Sequence, residues 1–267
     1  MSPAPRGQGQ VIDRFRRARR DREIAVVEGF HALKHALRFD AELLEVLCDE
    51  PAALERLVGE LAPDIGERLI QLAQPVAPET FAQLAPRAPR TGVVALAKRR
   101  DEDLAALLAD PRRAPIVLLE EPRDLNNVGA CIRVAAAAEA AGVVVTGRHD
   151  PWHADAIRGA AGLHFALPVV WSQTMPEDAG ARPLIALDPE GEPFDPNALA
   201  PRALLAFGSE RQGLSAPLLA RATARLRLPM RSGVSSLNLA TSVAATLFAL
   251  RLSASGQTAA TGRSVAG

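Results

Sequence analysis

The stretch IVLLEEPRDLNNVGACIRVAAAAEAAGVVV, residues 116–145, decides the fold. It opens on an uninterrupted apolar run, Ile116 to Leu119, passes through a polar, proline-bearing turn, and continues as an alanine-rich segment from Asn127 to Ala141. It closes on a second apolar run, Val143 to Val145. Short apolar runs without alternation suit strands covered on both faces. Two of them flanking a helical segment make a strand–helix–strand unit, whose crossover returns the chain to the same end of the sheet and makes the strands parallel. Downstream the pattern repeats, with a helix predicted over Ala154 to Ala161 and buried strands over Leu167 to Val170, Leu184 to Leu187, Ala203 to Phe207 and Ala224 to Leu228. A long terminal helix is predicted from about Asn238 to Leu252.

Upstream, apolar runs at Ala25 to Val27, Leu43 to Leu47 and Val93 to Leu96 alternate with amphipathic stretches such as Gly29 to Leu37 and Pro51 to Leu61, which reads as a smaller α/β domain. Lys98 to Pro115 is charged and alanine-rich with prolines at Pro111 and Pro115, a boundary or linking helix. The 267 residues allow two domains. The expected organisation is α/β throughout: a basic N-terminal arm at 1–22, a small domain at 23–105, a parallel-sheet domain at 113–253 and a flexible Ser/Thr/Gly/Ala-rich tail at 254–267.

A hydrophobic fraction of 48% and a charged fraction of 23% belong to ordinary globular chains and exclude wholesale disorder. With 31 basic and 31 acidic residues the net charge is +0, so binding to nucleic acid must come from local clustering. Such a cluster exists: Arg14, Arg16, Arg17, Arg19, Arg20 and Arg22 stand close together, either as a solvated helix face or as a segment that tracks phosphates. Cys48 and Cys131 form neither a disulfide framework nor a zinc spacing, which fits a reducing cytoplasm. Ser232 to Leu250 has the length of a membrane span but carries Ser, Thr and Asn throughout, and the N-terminus lacks the apolar core of a signal peptide; no membrane segment is read. His31 and His35 lie four apart on a helical stretch without a third ligand, and no metal site is expected.

In open parallel sheets ligands bind outside the carboxyl ends of the strands. Three polar, glycine-bearing clusters follow predicted strands: Asn126 to Arg133, Gly208 to Ser215, and Leu228 to Asn238. Each alone could be a helix cap or a turn. Three together look like one site built from converging loops.

Their order and spacing carry a resemblance. N-x-G-x-x-x-R at Asn127, Gly129 and Arg133, G-S-E-x-x-G-L at Gly208 to Leu214, and L-P-M followed by S-S-L-N at Leu228 to Met230 and Ser235 to Asn238 resemble the three motifs of the SpoU (TrmH-type) RNA 2′-O-ribose methyltransferases of the SPOUT superfamily. Val26 to Leu33 resembles the opening of that family's N-terminal substrate-binding domain. Two positions depart from the pattern: Leu125 replaces a frequent proline after Asp124, and Ala160 stands where many members have a small polar residue.

The resemblance implies a SPOUT domain closed by a trefoil knot, a homodimer, S-adenosylmethionine as cofactor, and an RNA substrate rather than DNA or a membrane. Ribosomal RNA, 23S in particular, is favoured over transfer RNA because minimal transfer-RNA members lack the N-terminal domain. It assigns the chemistry to Asn127, Arg133, Glu210, Ser236 and Asn238, and cofactor contacts to backbone around Gly208, Leu228, Met230 and Leu237. Arg133 is the family's proposed base. A guanidinium is a reluctant one, so a clamp on phosphate and developing alkoxide is the preferred role. A non-catalytic RNA-binding relative is the competing class. A dinucleotide-dependent oxidoreductase is disfavoured because G-x-G-x-x-G is missing.

Overall fold

The computed structural model describes residues 7–175 and 180–262, with side chains as far as 254. Residues 1–6 of the expected arm, 176–179 of the second domain and 263–267 of the tail lie outside the described residues. The helices in chain order are α1 (Gln8–Ala18), α2 (Phe30–Arg38), α3 (Pro51–Leu61), α4 (Gly66–Leu72), α5 (Pro78–Phe81), α6 (Leu104–Ala109), α7 (Leu125–Ala137), α8 (Ala154–Gly159), α9 (Ala216–Arg221) and α10 (Leu239–Gly262). The strands are β1 (Ile24–Glu28), β2 (Leu43–Cys48), β3 (Ala73–Pro75), β4 (Val93–Lys98), β5 (Ile116–Leu119), β6 (Gly142–Thr146), β7 (Val169–Ser172), β8 (Leu184–Pro193), β9 (Leu204–Phe207) and β10 (Ala224–Arg227).

The chain forms two compact units, 1–101 with 152–166, and 102–151 with 167–267. The first is built on a mixed sheet in the order β1-β4-β2-β3. Segment 152–166, placed by the sequence reading in the second domain, packs here: Arg158 pairs with the buried Glu28 at 2.8 Å, and the Nδ1 atom of His35 lies 2.7 Å from the Ala161 carbonyl oxygen. Gly162 takes φ +78° with its backbone against Ala32, where a Cβ would fall 2.0 Å from the carbonyl oxygen, so only glycine fits. His35 thus serves the fold, and no cluster of His, Cys, Asp and Glu among the described residues could hold a metal.

The arginine-rich segment is a packed helix and not a free arm. Val11, Ile12, Phe15 and Ala18 recur at i, i+1, i+4 and i+7, form one stripe of α1 and sit in a core with Val26, Leu47, Phe81, Leu84, Val94 and Leu96. Arg19 donates to Glu28 at 2.6 Å and to the Leu84 carbonyl at 3.0 Å, and Arg14 pairs with Glu45 at 3.1 Å. Arg16, Arg17 and Arg20 face solvent. The charge run hid the period of the apolar residues between the arginines.

The second unit holds a six-stranded, wholly parallel sheet in the order β10-β8-β9-β5-β6-β7. Every residue of β5, β6 and β9 is buried, whereas β7 and β10 at the edges are only partly so, which is why the central strands read as continuous apolar runs. From β5 the chain builds outward through β6 and β7, then continues on the other side of β5 with β8, β9 and β10. The order in which strands are added therefore reverses between β5 and β9, the point where such sheets open a crevice. The linker is anchored to this unit: buried Arg182 donates to the carbonyls of Leu108, Asp110, Ala114 and Arg202.

α10 packs on α7 through the stripe Val243, Thr246 and Leu247 and continues to Gly262. The tail expected to be flexible from 254 is thus helical as far as 262: the segment lacks proline, and an established helix adds one hydrogen bond per residue fixed. None of the described helices is long and apolar enough to cross a membrane.

Candidate functional site

α7 starts where it does because Asp124 caps it, its carboxylate accepting the Asn126 N–H at 2.8 Å. Leu125 occupies the first helical position, where proline is merely preorganised, so the departure from the family pattern leaves the helix start intact. That start aims Asn127 at the loop after β9. Its amide donates to Glu210 Oε1 at 2.8 Å while Glu210 Oε2 accepts the Arg123 N–H at 3.0 Å. Asn238 then donates to the Asn127 side-chain oxygen at 3.0 Å, and its own oxygen accepts the Ala240 N–H at 2.9 Å at the start of α10. The result is one relay, Glu210–Asn127–Asn238, joining the loops after β9, β5 and β10.

Loss of water pushes the Glu210 carboxyl up, but hydrogen bonds from Asn127 and from the backbone N–H groups of Glu210, Arg123 and Asp124 outweigh it and hold it below the ordinary glutamate range. Glu210 is thus an anion with both oxygens engaged. It positions the amide of Asn127 and not Arg133. A second carboxylate, Glu120, fixes the same loop from β5, accepting from the Ser215 N–H at 2.7 Å and the Ser215 hydroxyl at 2.6 Å. Sequence reasoning missed Glu120. Its signal was only that it directly follows a buried strand.

Beside the relay lies a cavity of about 810 Å³ whose walls include Gly208, Glu210, Leu228, Met230, Ser236, Leu237 and Asn238. Seven of the nine predicted site residues therefore share one space, within the size range of cofactor sites. Asn127 reaches the site through its hydrogen bonds. Arg133 lies outside the cavity, exposed on α7 without a hydrogen bond or ion pair among the described residues. The sequence reading also missed one wall. β8 loses register against β10 between Arg225 and Leu226, and the excursion carries Asp188 and Glu190 into the lining, pinned by Arg225 at 3.1 and 3.4 Å.

The backbone comes closest at Gly208. A Cβ there would fall 2.0 Å from the Gly213 carbonyl carbon and 2.2 Å from the Leu214 nitrogen, inside the loop closed by the reciprocal Ser209–Gly213 hydrogen bonds. Cys131, inside the first motif, is no nucleophile: burial pushes its thiol far above the ordinary value.

Parallel strands, a reversal of strand order and three loops locked by one amide–carboxylate relay define an open α/β protein with a ligand cavity beside its switch point. Residues 114–248 match the SpoU rRNA Methylase family, and the chain belongs to that family. A 23S rRNA (adenosine(1067)-2′-O)-methyltransferase of Streptomyces laurentii is 27% identical over 246 residues, 87% of each chain. An uncharacterized tRNA/rRNA methyltransferase of Mycobacterium bovis is 33% identical over 165 residues, and the match spans only 57% of that relative's length and 57% of this chain. The fold is similar to that of the SpoU methyltransferase AviRb from Streptomyces viridochromogenes in complex with AdoMet, with a TM-score of 0.72 at 23% identity over 89% of this chain and 96% of that one.

Proposed function

We propose that the chain is an S-adenosylmethionine-dependent methyltransferase acting on a ribose 2′-hydroxyl of RNA, with 23S ribosomal RNA as the substrate. The observation that carries the reading is the relay Glu210–Asn127–Asn238 set against a cofactor-sized cavity. The cavity fits the cofactor. Leu214, Leu219, Leu228 and Met230 offer apolar walls for an adenine ring, and the tight Gly208 turn leaves backbone groups for its polar atoms. When bound, S-adenosylmethionine supplies an electrophilic sulfonium methyl.

The chain's own residues must make a poor nucleophile reactive and hold it in line. Asn127 and Asn238, each fixed by a neighbour, orient the ribose, and the Ser236 hydroxyl on the cavity wall is a further donor. Glu210, engaged through both oxygens, positions Asn127 and is not the base. Arg133, exposed and unpaired among the described residues, steadies the developing alkoxide and the neighbouring phosphate.

The family's trefoil knot and homodimer belong to the same proposal. Val234, Leu237, Phe248 and Leu252 expose apolar surface in the last loop and on α10, which supports pairing of two copies through this unit. Both cysteines are free and buried, which supports a reducing, cytoplasmic setting.

Two measurements test the reading. Calorimetry is expected to detect S-adenosylmethionine binding, and ligand excess to raise the unfolding temperature by mass action. Mapping 2′-O-methyl groups in RNA from cells with and without the gene is expected to show one site in 23S RNA lost. Folded protein that binds no cofactor would leave an RNA-binding relative, and a site lost from transfer RNA would move the substrate. Gly208→Ala drives a Cβ into backbone, so it is expected to weaken binding of S-adenosylhomocysteine by at least about tenfold, roughly 1.4 kcal/mol. An unchanged affinity would remove the Gly208 turn from the cofactor site.

A further inference from the structure

We propose that Arg123, Arg148 and His149 form a phosphate subsite that grips the RNA strand on the side of the relay opposite the cofactor cavity. The inference rests on the RNA reading above and deepens it.

The residues line a separate cavity of about 330 Å³ with Glu121 and Pro122. Its place in the sheet separates it from the cofactor space. The larger cavity is walled by residues of β8 and by residues at the ends of, and following, β9 and β10, whereas this one is walled by residues following β5 and β6. In the strand order the two groups fall on either side of the β9–β5 junction that the relay spans. Arg123 links the two: its N–H donates to Glu210, which lines the larger cavity, at 3.0 Å, and Arg123 itself lines the small one. A strand gripped there adjoins the groups that orient the ribose.

The frame is built, not incidental. Buried Thr146 accepts the Glu121 N–H at 3.3 Å and donates to the Leu119 carbonyl at 3.5 Å, tying the end of β6 to that of β5. The Gly147 N–H donates to the carbonyls of Ser172 and Gln173 at 3.1 and 3.2 Å, and its carbonyl accepts the Trp171 indole N–H at 2.8 Å. Glu121 at φ +46° and Gly147 at φ +86° both stand in the left-handed region and lie against each other; a Cβ on Gly147 would come 3.0 Å from the Glu121 Cγ. A non-glycine residue rarely adopts that conformation unless its surroundings enforce it. Both loops are thus held at fixed positions, and they carry Arg123, Arg148 and His149.

Among the described residues these side chains lack internal partners. Arg112, Arg158, Arg225 and Arg251 of this chain all engage carboxylates, but the guanidinium groups of Arg123 and Arg148 and the imidazole of His149 have no hydrogen-bond or ion-pair partner among the described residues. Two arginines and a histidine lining one small cavity suit an oxyanion with several acceptor atoms, as a phosphodiester has. Glu121 on the rim repels a bare anion but accepts a hydrogen bond from a ribose hydroxyl or base amine, which favours a nucleic-acid strand over free phosphate.

The test measures binding of a fluorescein-labelled single-stranded oligouridylate to the full chain across a salt series, with S-adenosylhomocysteine affinity measured in parallel. Arg148→Ala with His149→Ala, and separately Arg123→Ala, are expected to weaken RNA binding several-fold and to flatten the slope of log affinity against log salt by about one for each phosphate no longer neutralised. S-adenosylhomocysteine affinity is expected to stay as in the wild type, and Arg148→Lys to recover part of the binding, because it keeps the charge but loses the planar fork. Unchanged RNA affinity and slope overturn the subsite, as does a parallel loss of cofactor affinity, which marks the loops as scaffold. If the wild type methylates no RNA while these variants still lose RNA affinity, the subsite stands and the methyltransferase reading falls.

Discussion

Arg133→Ala is expected to lower the single-turnover rate of methyl transfer by on the order of a hundredfold or more while leaving cofactor binding unchanged. The size follows from the role: a preorganised cation aimed at charge that develops only in the transition state contributes to the rate and not to ground-state binding, and removing such a donor elsewhere has effects of roughly this size. The cofactor arm follows from position, since Arg133 is exposed on α7 and lies outside the cavity that holds Gly208, Leu228, Met230 and Leu237. Arg133→Lys separates charge from shape: it keeps the cation but loses the planar fork, so little rescue points to bidentate contact and substantial rescue to charge alone. Near wild-type transfer by the alanine variant, at saturating RNA and cofactor, would remove Arg133 from the catalytic set.

Phe15→Ala is expected to destabilise the first unit by about 3–5 kcal/mol, the range for emptying a fully buried aromatic position. Phe15 is 0% exposed and packs among Val26, Leu47, Leu84 and Leu96. The loss is large against a total stability of about 5–15 kcal/mol. Deleting residues 1–22 removes the whole α1 stripe and is expected to do more harm still, so a truncation that loses RNA binding says nothing about arginines. The clean test is Arg16→Ala, Arg17→Ala and Arg20→Ala together, which face solvent and leave the stripe in place. Chemical denaturation that finds Phe15→Ala as stable as the wild type would show that α1 rests on the unit without supporting it.

The candidate site was largely legible in the sequence because each of its loops announces itself locally. A buried strand reads as an apolar run, and a polar glycine-bearing cluster directly after it marks the carboxyl end of a strand in a parallel sheet. That logic reached the stretches Asn126 to Arg133, Gly208 to Ser215 and Leu228 to Asn238, within which the family resemblance picked out the site residues; the structure brings Asn127, Gly208, Glu210, Leu228, Met230, Ser236, Leu237 and Asn238 to the cavity or its relay and leaves Arg133 outside it. It could not reach Glu120 or the Asp188–Arg225 pair, whose roles depend on which strands are neighbours. It also overrated the freedom of the arginine cluster, since charge density in α1 masks a stripe whose burial is decided by the sheet beneath it.

By itself the sequence determined the α/β class, the positions of β5, β6 and β9 to within a residue or two, and the three polar stretches that meet at the site. These rest on short-range properties: hydrophobic periodicity, turn chemistry and the side chains themselves. The tertiary structure alone decided the order β10-β8-β9-β5-β6-β7, the packing of 152–166 with the first unit, and the hydrogen bonds that join Glu210 to Asn127 across 83 residues and Asn238 to Asn127 across 111. Strand order and such pairings follow from the simultaneous packing of all the apolar faces, a property of the whole chain that no local window contains.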